Sequence, residues 1–254
     1  HGQELWVLDN DEARLVKAIK DGVGHLAPTS LVNFGGMLFF VADDGVSGEE
    51  LWKSDGTTEG TVMVRDINPG AESSSPASLT VVGTALYFSA DDGSHGVELW
   101  KCDGADSRPT MVRDIYPGAD GSSPVELFNY QGTLLFSAND GVNGKELWKS
   151  SGTVSNTGMV KNIAVTSTGS NPAEFTEFLG VVYFSAKESS GPNLWRTDGT
   201  DSGTYLVKDT AGNGVWSSPN QFTVCDNRLF FVSYDSQFQR GLWVSDGTES
   251  GTQL

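Results

Sequence analysis

The stretch that decides the fold is Glu50-Leu51-Trp52-Lys53-Ser54-Asp55-Gly56-Thr57. An apolar pair runs into polar residues and then into Asp-Gly, a dipeptide that supplies the positive φ of a tight turn, so it reads as the end of a short strand and the start of a hairpin. Its Leu-Trp returns at Leu5-Trp6, Leu99-Trp100, Leu147-Trp148, Leu194-Trp195 and Leu242-Trp243, and successive tryptophans stand 46, 48, 48, 47 and 48 residues apart. Two more markers keep this period. One is a proline at 28, 76, 124, 172 and 219; the other is an aromatic run such as Met37-Leu38-Phe39-Phe40, Leu86-Tyr87-Phe88-Ser89 and Val182-Tyr183-Phe184-Ser185. A period of roughly 40 to 50 residues signals an array of supersecondary units.

Within one period four β-like runs follow one another, as Ala77 to Val82, Ala85 to Ala90, Glu98 to Lys101 and Thr110 to Ile115. Gly83-Thr84, Asp91-Asp92-Gly93 and Asp103-Gly104 separate them, and no segment sustains a helical period. The pattern predicts an all-β chain of four-stranded antiparallel units of about 48 residues, each apolar on both faces and sandwiched by its neighbours. That is a β-propeller, with six blades the leading geometry and five blades plus a displaced N-terminal hairpin second. One domain over 1–254 is expected, with a half blade in 1–28 and repeats at about 29–76, 77–124, 125–172, 173–219 and 220–254, giving five complete units. The chain reads as a piece of a longer repeat protein, or as one that self-associates through its incomplete blade.

Composition removes several classes. The 254 residues carry 16 Lys and Arg against 33 Asp and Glu, a net charge of −17 that repels phosphate backbones and anionic membranes. No run approaches the roughly 18 to 20 apolar residues of a membrane helix. Cys102 and Cys225 occupy non-equivalent repeat positions, which speaks against a disulfide. Only His1, His25 and His95 are histidines, none with a His or Cys partner at metal-ligand spacing, and no Gly-x-Ser-x-Gly occurs. The chain is therefore expected not to be an enzyme.

Binding is expected on the face that carries the long loops between units and the turns between the second and third strands of each unit. Those turns read Asp43-Asp44-Gly45, Asp91-Asp92-Gly93 and Asn139-Asp140-Gly141, each ahead of Glu50, Glu98 or Glu146. Two readings stand side by side. Asp43, Asp44, Asp91, Asp92 and Asp140 supply oxygen ligands of the kind calcium takes, or the turns are hairpin chemistry and each Glu bonds to a neighbouring blade. The Leu-Trp tryptophans read as packing between sheets. Trp216 and Tyr116, outside the repeat register, and His95, beside Asp91 and Asp92, are the candidate ligand-binding residues.

Glu50 to Thr57, followed by Gly60-Thr61 and Val64-Arg65-Asp66-Ile67-Asn68-Pro69-Gly70, resembles the ELWxxDGT, or hyalin-like, repeat of large secreted and surface proteins. The resemblance spans nearly the whole chain, with departures at Ser151, Asn193, Gly241 and Ala105. It implies an extracellular or cell-surface module with no settled activity. The expected function is thus a non-catalytic adhesion module presenting its acidic loop face to a glycan or protein partner, with no required cofactor and calcium as an optional ion. A structural subunit of a multi-chain assembly is the alternative, and a metal-dependent enzyme using His95 and the loop carboxylates a third reading.

Overall fold

The computed structural model describes residues 4–20, 27–188, 191–210, 212 and 217–254. These residues form six antiparallel sheets in chain order. A hairpin of β1 (Leu5–Asp9) and β2 (Glu12–Lys17) comes first. The second sheet is β3 (Thr29–Phe34), β4 (Met37–Asp43), β5 (Glu49–Ser54) and β6 (Val62–Arg65). The third is β7 (Ala77–Val82), β8 (Ala85–Asp91), β9 (Val97–Cys102) and β10 (Thr110–Arg113). The fourth is β11 (Val125–Tyr130), β12 (Thr133–Asn139), β13 (Lys145–Ser150) and β14 (Thr157–Lys161). The fifth is β15 (Ala173–Phe178), β16 (Val181–Lys187), β17 (Pro192–Thr197) and β18 (Tyr205–Lys208). The last holds β19 (Asn220–Cys225), β20 (Arg228–Tyr234) and β21 (Arg240–Ser245).

Four sheets are complete where five were expected. In the last, Gln253 forms a single bridge to Val244, with both N–H to carbonyl distances 2.9 Å, where a fourth strand would begin. The predicted run to Ile115 stops at Arg113. Beyond it Ile115 turns inward, 4 % exposed, and gives its N–H to Glu98 rather than to the ladder.

The chain divides into two compact units, residues 1–127 and 128–254. In each, the second strand of a sheet is buried on both faces, as in Leu86-Tyr87-Phe88-Ser89-Ala90, so both faces must be covered by other sheets. In the first unit Phe39, Leu51 and Ile67 pack against Leu86, Phe88 and Trp100, while Phe40 and Trp52 pack against Leu5 and Val16 of the hairpin. In the second unit Leu135, Leu147 and Ile163 meet Val182, Phe184 and Trp195, and Tyr183 and Leu194 meet Leu229, Phe231 and Trp243.

Register explains the tryptophans. Each lies opposite a phenylalanine of the preceding strand, as Phe40 with Trp52, Phe88 with Trp100, Phe136 with Trp148, Phe184 with Trp195 and Phe231 with Trp243. These five tryptophans are 3 to 6 % exposed. Truncating such a ring in a packed core costs about 3–5 kcal/mol. Trp6 departs from the packing expected of all six: among the described residues β1 pairs with β2 alone, so Leu15 and not a phenylalanine stands opposite Trp6 in the ladder, and it is 53 % exposed.

The first strand of every complete sheet carries one more recurrent feature. Ser30, Ser78, Glu126, Glu174 and, in the last sheet, Gln221 all have φ between 55° and 63°. Where pairing is resolved, the ladder shifts register around them, between Thr29 and Val32, Ala77 and Thr80, Ala173 and Thr176, and Asn220 and Thr223. Each is thus a β-bulge, with a non-glycine residue in the left-handed region pushed out of the ladder.

Candidate functional site

The turns singled out by the sequence fall in both units: those after β4 and β8, with the connections after β6 and β10, belong to the first, and the turn after β12, with the connection after β14, to the second. Each turn is an Asx turn closed on itself. Asp43 Oδ1 accepts the Gly45 N–H at 2.6 Å, and Asp44 Oδ1 accepts those of Val46 and Ser47, both at 2.8 Å. Asp91 accepts from Gly93 at 2.8 Å, and Asp92 from Ser94 and His95, each at 2.9 Å. Asn139 takes the place of the first aspartate in the third turn, and Asp140 accepts the N–H groups of Val142 and Asn143 and the Asn143 amide.

A positive charge already sits on one of these carboxylates: Lys20 Nζ is 2.5 Å from Asp43 Oδ2. Asp140 is held below the usual carboxylate value; partial burial pushes it up, but the bonds from Asn143 and Val142 outweigh that. Of the carboxylates named as calcium ligands, Asp44, Asp92 and Asp140 each accept two backbone N–H groups of their own turns, Asp91 accepts one, and Asp43 is shared between its turn and Lys20. Among the described residues no group of three or more His, Cys, Asp or Glu side chains gathers to hold a metal.

His95 Nδ1 lies 2.8 Å from Asp92 Oδ2 at the surface. Its pKa is raised by the hydrogen bond to Asp92 and by that carboxylate's charge, with smaller contributions from Asp114 and Glu98. Asp92 is lowered in turn, the N–H bonds from His95 and Ser94 and the His95 ring prevailing over desolvation. Tyr116 serves the site through its backbone, whose N–H donates to Glu98 Oε1 at 3.0 Å. Trp216 lies outside the described residues. Cys102 is buried, its thiol pushed up to about 12 by desolvation and by Asp103, and Cys225 is exposed; both are free.

The glutamates behind these turns, read in the sequence as bonding to a neighbouring blade, bond instead to the connections, through serines that the sequence reading did not single out. Glu50, Glu98 and Glu146 are fully buried, and each carboxylate is a latch for the connection leaving its own sheet. Glu146 accepts the N–H groups of Ile163, Ala164 and Ser170 at 2.9, 3.1 and 2.9 Å, plus the Ser170 hydroxyl at 2.5 Å. Glu50 does the same with Ile67, Asn68 and Ser74, and Glu98 with Ile115, Tyr116 and Ser122. Burial raises all three pKa values although these donors pull them down.

The latched serine then joins the next sheet. Asp91 N–H donates to Ser74 O at 2.9 Å while Ser75 N–H donates back to Glu49 O at 3.2 Å, and Ser170, Asn171, Lys145 and Lys187 repeat the arrangement. The glutamate thus reaches the neighbouring sheet through the connection rather than directly. In the fifth sheet Asn193 stands in for Glu and, among the described residues, takes the Ser217 hydroxyl at 2.8 Å. The signal was present as a constant offset of 24 residues, Glu50 to Ser74, Glu98 to Ser122, Glu146 to Ser170 and Asn193 to Ser217.

No family model and no curated protein matches this sequence. Solved structures match in fold. The chain is similar to puromycin hydrolase, with 14 % identity and a TM-score of 0.59 over 99 % of this chain and 41 % of that one. It is also similar to the β-propeller domain of the trilobed protease from Pyrococcus furiosus, described as having an open velcro topology, with 14 % identity and a TM-score of 0.52 over 98 % of this chain and 74 % of that one. A third similarity is to the acylaminoacyl peptidase of Pyrococcus horikoshii, with 15 % identity and a TM-score of 0.51 over 98 % and 40 %. The chain spans about two fifths of the length of the puromycin hydrolase it matches.

These matches identify the fold as propeller-like, with four-stranded antiparallel sheets as its unit. They also overturn the adhesion reading. The three proteins named above are a hydrolase and peptidases rather than adhesion modules, and the acidic turns that were to meet a glycan or protein partner bond within themselves and to their own connections.

Proposed function

We propose that the chain is the non-catalytic, propeller-type part of a larger peptide-hydrolysing protein, built from ELWxxDGT-type repeats with one blade per sheet and six blades in all. The observation that carries this reading is the likeness over 98 to 99 % of the chain to portions of a hydrolase and of peptidases. The use of the repeated carboxylates supports the non-catalytic half. Glu50, Glu98 and Glu146 serve the connections in the same way on three sheets, and a group repeated on several sheets serves the fold, whereas chemistry needs one asymmetric constellation.

The test compares the natural full-length protein with this chain alone on a panel of aminoacyl arylamides and short peptides. The full-length protein is expected to turn them over and the chain by itself to give only the buffer rate. An inert full-length protein removes the peptide-hydrolysing half of the reading, and turnover by the isolated chain removes the non-catalytic half.

A further inference from the structure

The bulges of the first strands differ in how their freed groups are used. In the second unit the Gln221 N–H, displaced from the ladder, is taken by a carboxylate from one repeat earlier: Glu174 Oε2 lies 2.9 Å away. Ser78 has the same place in its strand, the same register shift and the same backbone angle, φ 56° against 58°. One repeat before Ser78 the residue at the Glu174 position is Ser30. A serine side chain ends in a hydroxyl where a glutamate carries a further methylene and a carboxylate, so it does not deliver an anion to the Ser78 N–H.

The space is open. Ser30, Leu31, Ser78, Leu79, Thr80 and Glu126 line a groove of about 400 Å³ in the first unit. On its rim the single Thr80 hydroxyl proton is shared between two carbonyls, that of Ser78 at 2.9 Å and that of Leu127 at 3.2 Å. The hydroxyls of Ser30 and Ser78 are exposed beside it. Glu126 is also in the lining and contributes its charge there.

We propose that this groove binds a carboxylate, seated against the Ser78 N–H and the Ser30 and Ser78 hydroxyls where Glu174 places its own carboxylate in the second unit. The Glu126 charge and the net charge of −17 select for a single carboxylate on a neutral or cationic body over a dianion. A peptide C-terminus and a glutamate side chain both carry that group. The inference stands independently of the peptidase reading, since it uses only the geometry of this chain.

Amide NMR of the whole chain tests it, with acetyl-trialanine as the C-terminal probe, N-acetylglutamate methylamide as the side-chain probe and acetyl-trialanine amide as the neutral control. The Ser78 amide is expected to shift and saturate with at least one carboxylate probe and to ignore the control; which probe binds more tightly identifies the source. Ser30→Glu should shift the Ser78 amide without ligand and weaken probe binding at least tenfold. The backbone tolerates that change, because Glu126 and Glu174 occupy the same conformation. Glu174→Ala should add a second binding event, reported by the Gln221 amide. A Ser78 amide unmoved by either carboxylate, or Ser30→Glu leaving affinity unchanged, overturns the proposal.

Discussion

Gly203 is glycine for want of space rather than for a backbone angle: a Cβ there would stand 2.0 Å from Asp198 Oδ1. That carboxylate is busy, accepting the N–H of Thr200 at 2.9 Å and its hydroxyl at 2.6 Å, and Gly203 donates to the same hydroxyl at 3.0 Å. Asp55 with Gly60 and Asp246 with Gly251 are built alike. The fourth sheet departs from the motif as a pair, with Ser151 for the aspartate and Asn156 for the glycine, and a 3₁₀ turn over Val154–Asn156 fills the space. In the third sheet Arg108 replaces the glycine, and Asp103 swings to Lys101 at 2.7 Å. Gly203→Ala is therefore expected to cost about 1–2 kcal/mol through the displaced aspartate bonds. In the double variant Asp198→Ser, Gly203→Ala most of that should return, as a coupling energy in urea unfolding. Additive losses would remove the steric account. The motif was legible in the sequence, but its departures looked like decay, because only coordinates place residues 151 and 156 against each other.

At the scale of the element, β7 and its turn into β8 fall where the sequence put them, since Gly83-Thr84 and alternating apolar residues leave one register open. The end of β10 was not legible. Ile115 has a strand former's side chain, and what withdraws it from the ladder is Glu98, seventeen residues earlier, taking its N–H. The serine of each latch escaped notice for a similar reason: periodic reading compares residue types within a segment, while the latch couples strand to connection over 24 residues. Removing the carboxylate from this network leaves buried donors without an acceptor. Glu98→Ala is expected to cost about 3–5 kcal/mol by comparison with broken buried charge networks. Glu98→Gln, which keeps one acceptor and turns an amide toward the remaining donors, is expected to cost about 2 kcal/mol. Hydrogen exchange separates the latch from general loosening: the Tyr116 and Ser122 amides should speed up while amides of β12 and β13 keep their protection.

For the molecule as a whole, two sets of carboxylates pull stability in opposite directions with pH. Glu50, Glu98 and Glu146 lie above their usual 4.5 because burial disfavours the charge. Their contribution is complete below that value and is lost as pH rises through the folded pKa. Asp55, Asp198 and Asp246 lie below their usual 3.8, held down by hydrogen bonds from Thr57, Thr200 and Thr248. Their contribution is present above 3.8 and is lost as pH falls through the lowered values. Urea midpoints should thus peak on the acidic side, between about pH 3.8 and 4.5, and drop toward both pH 8 and pH 3, the net charge of −17 adding self-repulsion at the alkaline end. A midpoint that rises steadily to pH 8 would refute the glutamate assignment. The repeat and sheet order were plain in the sequence because they depend on periodicity. Function was not, since acidic turns of this type serve either as hairpin chemistry or as a ligand surface, and residue types alone do not show which N–H groups their oxygens accept.

The latch also has a consequence for how the chain acquires its structure. Glu50 fixes Ser74 on the edge of one finished sheet, and Ser74 then offers its carbonyl to Asp91 of the next. Within a compact unit a completed sheet therefore hands its successor a positioned hydrogen-bond acceptor and an apolar face to build on, as Ser74 does for Asp91 and Ser170 for Lys187, and the loop to be closed is about one repeat long. Inside each unit assembly can thus advance repeat by repeat in the order of synthesis, each sheet templated by the one before it.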